Sequence, residues 1–223
     1  MSSLMKKPLV LSLCTGLGLM DLAFLDTGFR VLPACEIDRD MCKMYEQLCN
    51  AQYPMYGNIK SFVDDLEWTK NCIDRHFAPL YPFLDNLVRN GVDGIIGGPP
   101  CQALSRLKGI REPKYPDLTP YVEKVLQLVP HKWFLFENVA PLDLHYYCNR
   151  PDCDLCAMTI GHEIGVHTKL NAMHFDDTFH QHRMRWFTHS DNIRHMPAAR
   201  TGNAEELMAY PAVAGHIYGV RRS

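Results

Sequence analysis

The chain has 223 residues, 47% of them hydrophobic and 22% charged, with a formal net charge of −2. That composition suits one globular domain with a sizeable core. Its near balance of charge excludes a protein that coats nucleic acid through net charge alone.

The longest apolar runs, LVLSLC and GIIGG, fall well short of the ~20 residues that a membrane span needs. Lys6 and Lys7 precede the first run, as in a signal peptide, but a patterned glycine turn follows it in place of a small-residue cleavage site. The run therefore reads as a strand. Nine cysteines, an odd number in a chain read without an export signal, point to a reducing cytoplasm. No repeat or Pro/Gly/Ser-rich linker divides the sequence, so a single domain over 1–223 is expected.

In chain order, short apolar runs alternate with longer periodic stretches, the pattern of an α/β fold with a mostly parallel central sheet. Leu9 to Cys14 is apolar on both faces, as a central parallel strand is. The turn TGLG breaks it, and LMDLAFLDT has helical spacing ended by Gly28. Arg30 to Cys35 reads as the second strand, with Glu36 at its end, and 39–50 as a helix. Residues 61–90 mix helix formers with prolines and read as an insertion. Val92 to Ile96 is a buried strand feeding GGPPCQ; Thr119 to Leu128 is a helix, and Trp133 to Phe136 a strand ending at Glu137. Two further strands are expected at Val166 to Met173 and Arg185 to Thr188.

Four places carry chemistry. Thr15-Gly16-Leu17-Gly18 lets the backbone turn tightly and approach a ligand at a helix N-terminus. Glu36, at the end of the next strand, can accept both hydroxyls of an adenosine ribose; the two together sketch a nucleotide-type cofactor site, although a plain turn and a solvated strand end would look the same. Gly97-Gly98-Pro99-Pro100-Cys101-Gln102 is more informative, because a rigid turn presents a thiol just beyond a strand C-terminus. An accessible thiol in such a loop can be activated as a nucleophile, whereas Cys14, Cys35, Cys42, Cys49 and Cys72 suit the role of small buried hydrophobes. Phe136-Glu137-Asn138-Val139 offers a carboxylate and an amide at a strand end, and Gln181-His182-Arg183-Met184-Arg185 a basic turn before a strand.

These segments, in this order, resemble the cytosine-5 DNA methyltransferase family over about residues 8–190. LSLCTGLGLMDLAFLDTGF followed by CEID looks like its S-adenosylmethionine-binding motifs, GGPPCQALS its nucleophile motif, FENV its carboxylate motif and QHRMR its paired-arginine motif, approached through KLNAMHF. The resemblance implies a Rossmann-like methyltransferase fold, with a cofactor-binding part at 8–60 and a catalytic part at 91–190. It places S-adenosylmethionine against Cys14, Thr15, Gly16, Leu17, Gly18, Glu36, Ile37, Asn58, Ile59 and Pro99. It also implies that Cys101 adds to carbon 6 of cytosine, that a protonated or proton-sharing Glu137 bonds ring nitrogen 3, and that Arg185, with Arg183, donates to the base carbonyl. The partner it implies is double-stranded DNA with the target base flipped out, in the cytoplasm, at a nucleoid or in a phage-infected host cell. A tRNA cytosine-5 methyltransferase, the catalytic subunit of a split methyltransferase and an inactive DNA-binding homologue are the alternatives. Arg106, Lys108, Arg111 and Lys114, opposed nearby only by Glu112, suit phosphate contacts after Cys101.

Three departures stand out. The family usually has Phe at the place of Cys14, often a third glycine at Leu19, and commonly Asp at Asn58; an amide carbonyl can still accept from an adenine amino group, so retuned cofactor binding is expected. Only about fifteen residues separate Arg185 from Thr201-Gly202-Asn203-Ala204, which resembles the family's last motif, so that Asn203 would complete the cofactor pocket. The family's large recognition domain normally lies in that interval. Its shortness leads us to expect 191–223 as a short segment in its place, with relaxed sequence specificity, or else a separate recognition subunit. Lastly, Cys148, Cys153 and Cys156 with a nearby His have zinc-ligand spacing over 145–167. His162 is the chosen fourth ligand, with His145 and His167 as rivals, and three unpaired thiols in a surface loop are the alternative.

Overall fold

The computed structural model describes residues 7–50, 54–78, 81–103, 115–139, 166–171, 184–190 and 193. Along the chain run β1 (Leu9–Leu13), α1 (Leu19–Asp26), β2 (Arg30–Cys35), α2 (Arg39–Cys49), α3 (Ile59–Asp74), α4 (Pro82–Asn90), β3 (Gly94–Gly97), a short 3-10 turn (Cys101–Ala103), α5 (Thr119–Leu128), β4 (Trp133–Asn138), β5 (Val166–Asn171) and β6 (Met184–His189).

The six strands form one sheet in the order β2-β1-β3-β4-β6-β5. β1 is parallel to β2 and β3, and β3 is parallel to β4; β6 runs antiparallel to both β4 and β5. The expected α/β fold with a mostly parallel sheet is therefore observed. The chain leaves β1 toward β2 on one side and returns to β3 on the other, so the strand order reverses at β1. In open α/β sheets a ligand crevice opens at such a reversal, beyond the C-terminal strand ends.

Period-2 alternation divides the core between the two sheet faces. Leu11, Ile95, Phe134 and Phe136 join Phe62, Leu66, Leu84, Leu87, Val122 and Val125 of α3, α4 and α5 in one buried cluster. Val10, Ile96 and Leu135 form the second with Phe24 of α1, Leu170 and Phe187. Phe24 stacks on Trp133 at 5.7 Å between centroids, with Phe29 edge-on to Phe24 at 5.2 Å. Residues 61–90, expected as an insertion, carry most of α3 and all of α4, and their apolar faces cover the first side of the sheet.

Most boundaries lie close to expectation, and the shifts have local causes. The third strand is Gly94–Gly97 in place of Val92–Ile96, because its ladder with β1 runs from Val10–Gly94 to Leu13–Gly97. β4 continues two residues past Phe136, because Glu137 and Asn138 pair with Phe187 and Trp186 of β6. At the end of β3 the strands come unusually close. A Cβ on Gly97 would stand 2.5 Å from the Leu13 carbonyl oxygen, so only glycine fits there.

Beneath the glycine turn lies a buried acid. Asp21 is 1% exposed; Ser12 Oγ donates to its Oδ1 at 2.6 Å and Tyr45 OH to its Oδ2 at 2.8 Å, tying β1, α1 and α2 together. Burial pushes the Asp21 carboxyl up to about 6, against the lowering effect of those two hydrogen bonds. A raised carboxyl binds its proton more tightly folded than unfolded, so its contribution to stability is fullest at low pH and falls as pH rises from about 4 to 6. Relative to Asp21→Asn, the wild type should lose roughly 3 kcal/mol of unfolding free energy across that window. Urea denaturation of both proteins at several pH values measures this; a constant difference would contradict it.

Candidate active site

The strand ends at the reversal point enclose a cavity of about 470 Å³. Cys14, Gly16, Glu36, Ile37, Asn58 and Ile59, all singled out from sequence, line it together. The turn is built on left-handed backbone: φ is 54° at Gly16 and 79° at Gly18. Gly18 N–H donates to Thr15 O at 2.9 Å, and a Cβ at Gly18 would meet Cys49 Sγ at 2.5 Å. Beside Gly16, by contrast, a Cβ would find nothing within 4 Å.

Glu36 organises this corner. Its Oε2 accepts from Gly16 N–H at 2.8 Å and its Oε1 from Asp38 N–H at 2.9 Å. Each oxygen keeps a further lone pair, so the carboxylate can still accept ribose hydroxyls. Asp38 Oδ1 in turn caps α2 by accepting from Asp40 and Met41 N–H. Asn58 caps α3 in the same way, its Oδ1 accepting from Lys60 N–H at 2.8 Å.

These residues fit S-adenosylmethionine. Glu36 would supply acceptors for a ribose, Ile37 is 53% exposed and with Ile59 and Leu118 would offer apolar surface to a base, and Thr15 Oγ1 is buried without a hydrogen-bond partner in the same turn. Thr15, Leu17, Gly18 and Pro99 shape or flank the cavity without lining it. Sequence reasoning missed the lining residues Tyr115, Pro116, Leu118 and Tyr121, and read Asp38 only as the end of CEID without giving it a role. Only Asp38 left a local signal, an acidic residue directly before a helical stretch.

Gly98 and Pro100 complete the wall, and Cys101 follows Pro100 directly, half-buried, at the start of the 3-10 turn. Two consecutive residues of β4 stand against this turn, and one of them bonds to it. Asn138, 3% exposed, donates from Nδ2 to Pro99 O at 3.0 Å, while its Oδ1 accepts from Val139 N–H at 2.7 Å. Glu137 lies beside Gly98, where an added Cβ would stand 3.8 Å from Glu137 Oε2. Arg185 Nε pairs with Glu137 Oε1 at 2.7 Å, and Arg185 Nη1 donates to Met184 O at 2.7 Å. The antiparallel pairing of β4 with β6 thus joins two segments that the sequence offered separately. Glu137, expected to be protonated or proton-sharing opposite a base, is paired here with Arg185.

Arg183, Asn203, Cys148, Cys153, Cys156, His162 and the basic residues Arg106, Lys108, Arg111 and Lys114 lie outside the described residues. Among the described residues no three of His, Cys, Asp or Glu are grouped so as to hold a metal ion. His167, one rival for the zinc, engages Thr188 Oγ1 at 3.0 Å.

The Asn138 contact requires a donor. Asn138→Ala and Asn138→Asp should each cost about 1–3 kcal/mol in chemical denaturation, because both leave the buried Pro99 carbonyl without its N–H partner. An unchanged denaturation midpoint for both would contradict that role.

The chain matches the family model of the C-5 cytosine-specific DNA methylases over residues 9–196. It is 32% identical over 133 residues to the type II methyltransferase M.FnuDI of Fusobacterium nucleatum, covering 58% of this chain and 32% of that protein. To the type II methyltransferase M.NgoPII of Neisseria gonorrhoeae it is 28% identical over 134 residues, or 59% and 33% of the two chains. The matched region is thus about a third of the length of these curated relatives. The fold is similar to the crystal structure of a prophage-encoded E. coli protein assigned as a DNA modification methyltransferase. There the TM-score is 0.50 at 19% identity, covering 86% of this chain and 49% of that one. With the family model spanning most of its length and the family's motifs converging on one cleft, this chain belongs to the C-5 cytosine-specific DNA methylases, a family of S-adenosylmethionine-dependent methyltransferases.

Proposed function

We propose that this chain transfers a methyl group from S-adenosylmethionine to carbon 5 of cytosine in DNA. The observation that carries this reading is the junction at Gly98–Cys101: the turn that walls the cofactor cavity leads directly into Cys101, and the Glu137–Arg185 pair stands beside it. Electrophile, nucleophile and ring-polarising groups then meet at one point.

The chemistry follows from cytosine itself, whose carbon 5 is a poor nucleophile while the ring is aromatic. The Cys101 thiolate adds to carbon 6; the new S–C bond pushes the electron pair of the 5,6 double bond toward carbon 5 and the ring. Glu137 in its protonated form donates a hydrogen bond to ring nitrogen 3, and Arg185 donates to the base carbonyl oxygen, each stabilising negative charge that arrives during addition. When bound, S-adenosylmethionine would supply the electrophilic methyl group, its S–CH3 bond breaking to leave the neutral thioether S-adenosylhomocysteine. Once carbon 5 is methylated, loss of its proton restores the double bond, and the S–C6 bond breaks with its electron pair returning to Cys101. Carbon 6 is inaccessible in a stacked duplex, so the target must be flipped out at a cost of a few kcal/mol. Phosphate contacts from Arg106, Lys108, Arg111 and Lys114 would help to hold the opened strand. Sequence choice belongs to elements beyond this cleft, a separate recognition subunit among them.

Radiolabelled S-adenosylmethionine should deliver label to duplex DNA, with Cys101→Ala reducing incorporation to background. Label in tRNA alone would replace this reading with the RNA one, and no label in either would overturn it. Glu36→Ala should weaken cofactor binding about tenfold or more, on the order of 1.4 kcal/mol. It removes the ribose acceptor together with the Gly16 and Asp38 hydrogen bonds. Titration calorimetry reads this, and an unchanged affinity would contradict the assignment of Glu36.

A further inference from the structure

Two thiols meet in the wall of the cofactor cavity. Leu13 pairs with Cys35 across β1 and β2, and Thr15 N–H donates to Cys35 O at 3.3 Å, so Cys14 lies between two contacts with the same residue. β2 is irregular here, its register passing from Ser12–Pro33 to Leu13–Cys35. Cys14 adopts φ 52°, an uncommon conformation for a residue with a side chain. That twist takes it out of the alternation of β1 and packs it against the core cluster that contains Cys35. Both residues line the cavity, and both are free thiols. A side-chain hydrogen bond with Cys35, then burial, then negative charge at Cys35 and Glu36, hold the Cys14 thiol well above the usual thiol range. Cys42 and Cys49 differ, each donating to a backbone carbonyl, of Glu36 and Gly18 respectively.

We propose that Cys14 and Cys35 form an oxidisable dithiol, a modification site for hydroperoxides in the cavity wall, and that its disulfide form binds the cofactor poorly. The second half rests on the assignment of this cavity to S-adenosylmethionine. Cys14 is held as a thiol, so Cys35 is the attacking group: its thiolate attacks a peroxide oxygen, an S–O bond forms, the O–O bond breaks, and the departing hydroxide takes a proton to become water. The neighbouring thiol gives up its proton and displaces hydroxide from the sulfenic acid, forming S–S as S–O breaks. Two thiols lose two electrons and two protons, and hydrogen peroxide becomes two waters. Closing the sulfurs to the ~2.05 Å of a disulfide draws Cys14 toward β2. Gly16, two residues on, donates to Glu36, the neighbour of Cys35, so the cross-link acts on the corner that receives the ribose.

The test treats the reduced protein with hydrogen peroxide, blocks remaining thiols by alkylation and maps tryptic peptides by mass spectrometry. Arg30 lies between the two cysteines, so trypsin separates them unless they are linked. Cofactor binding is measured by calorimetry on reduced, oxidised and dithiothreitol-treated samples. A Cys14–Cys35 linked peptide is expected as the main intramolecular product, with affinity falling at least tenfold and returning on reduction. Cys14→Ser and Cys35→Ala should each make affinity insensitive to peroxide relative to the same variant's own reduced form, while Cys72→Ser stays sensitive. Saturating S-adenosylhomocysteine should slow formation of the link. Absence of the linked peptide, or a linked protein that binds the cofactor as before, would overturn the proposal. Failure of the reduced protein to bind S-adenosylmethionine would instead refute the assignment of the cavity, and the peptide map would still decide whether the dithiol forms.

Discussion

Everything at the cleft depends on how the end of β4 is gripped from both sides. Asn138 and Glu137 are neighbours on a strand, so their side chains leave in opposite directions. Asn138 reaches the buried Pro99 carbonyl, and Glu137 reaches Arg185 on β6. The turn carrying Cys101 is thereby fixed to the same strand that carries the carboxylate. A proline pair stiffens that turn, and Gly97 brings β3 against the Leu13 carbonyl just before it. Cys101, Glu137 and Arg185 therefore derive their relative positions from the β4–β6 pairing and the Asn138 hydrogen bond to the turn.

The cofactor corner follows the same logic one strand away. Glu36 holds the turn after β1 and the entry to α2 with one carboxylate, while retaining lone pairs for a ligand. Asp21 braces the turn from below through Ser12 and Tyr45. Burial raises its carboxyl while those two hydrogen bonds work the other way, so the corner combines an acid facing the cavity with a buried one that resists ionisation. Burial separates their chemistry: a carboxylate at the cavity serves as acceptor, and one beneath the turn serves as structure.

Local signals in the sequence were strong where the chemistry is local. The apolar runs at Leu9–Leu13 and Arg30–Cys35, the glycine turn, the helix at Thr119–Leu128 and the Pro-Pro-Cys turn each follow from residue types in a short window. The Glu137–Arg185 pair joins segments far apart in the chain, and only the β4–β6 ladder brings them together. Asn138 read as one polar residue among others because its partner is a backbone carbonyl on a different strand's turn. The wall made by Tyr115, Pro116 and Leu118 has no periodicity to detect, since those residues precede α5 and face the cavity through its packing. Cys14 is expected both as a small buried hydrophobe and at the cofactor, but its nearness to Cys35 depends on a left-handed φ at the strand end that no local pattern signals.

The central claim is that Cys101 attacks carbon 6 of a cytosine while S-adenosylmethionine occupies the neighbouring cavity. A duplex carrying 5-fluorocytosine tests it most directly, because a fluorine at carbon 5 cannot leave as a proton does and the thiol is not released. Incubation with S-adenosylmethionine should give a denaturation-resistant complex of one chain with one DNA, with the adduct mapping to Cys101. No trapped complex, or one that persists undiminished in Cys101→Ala, would contradict the account.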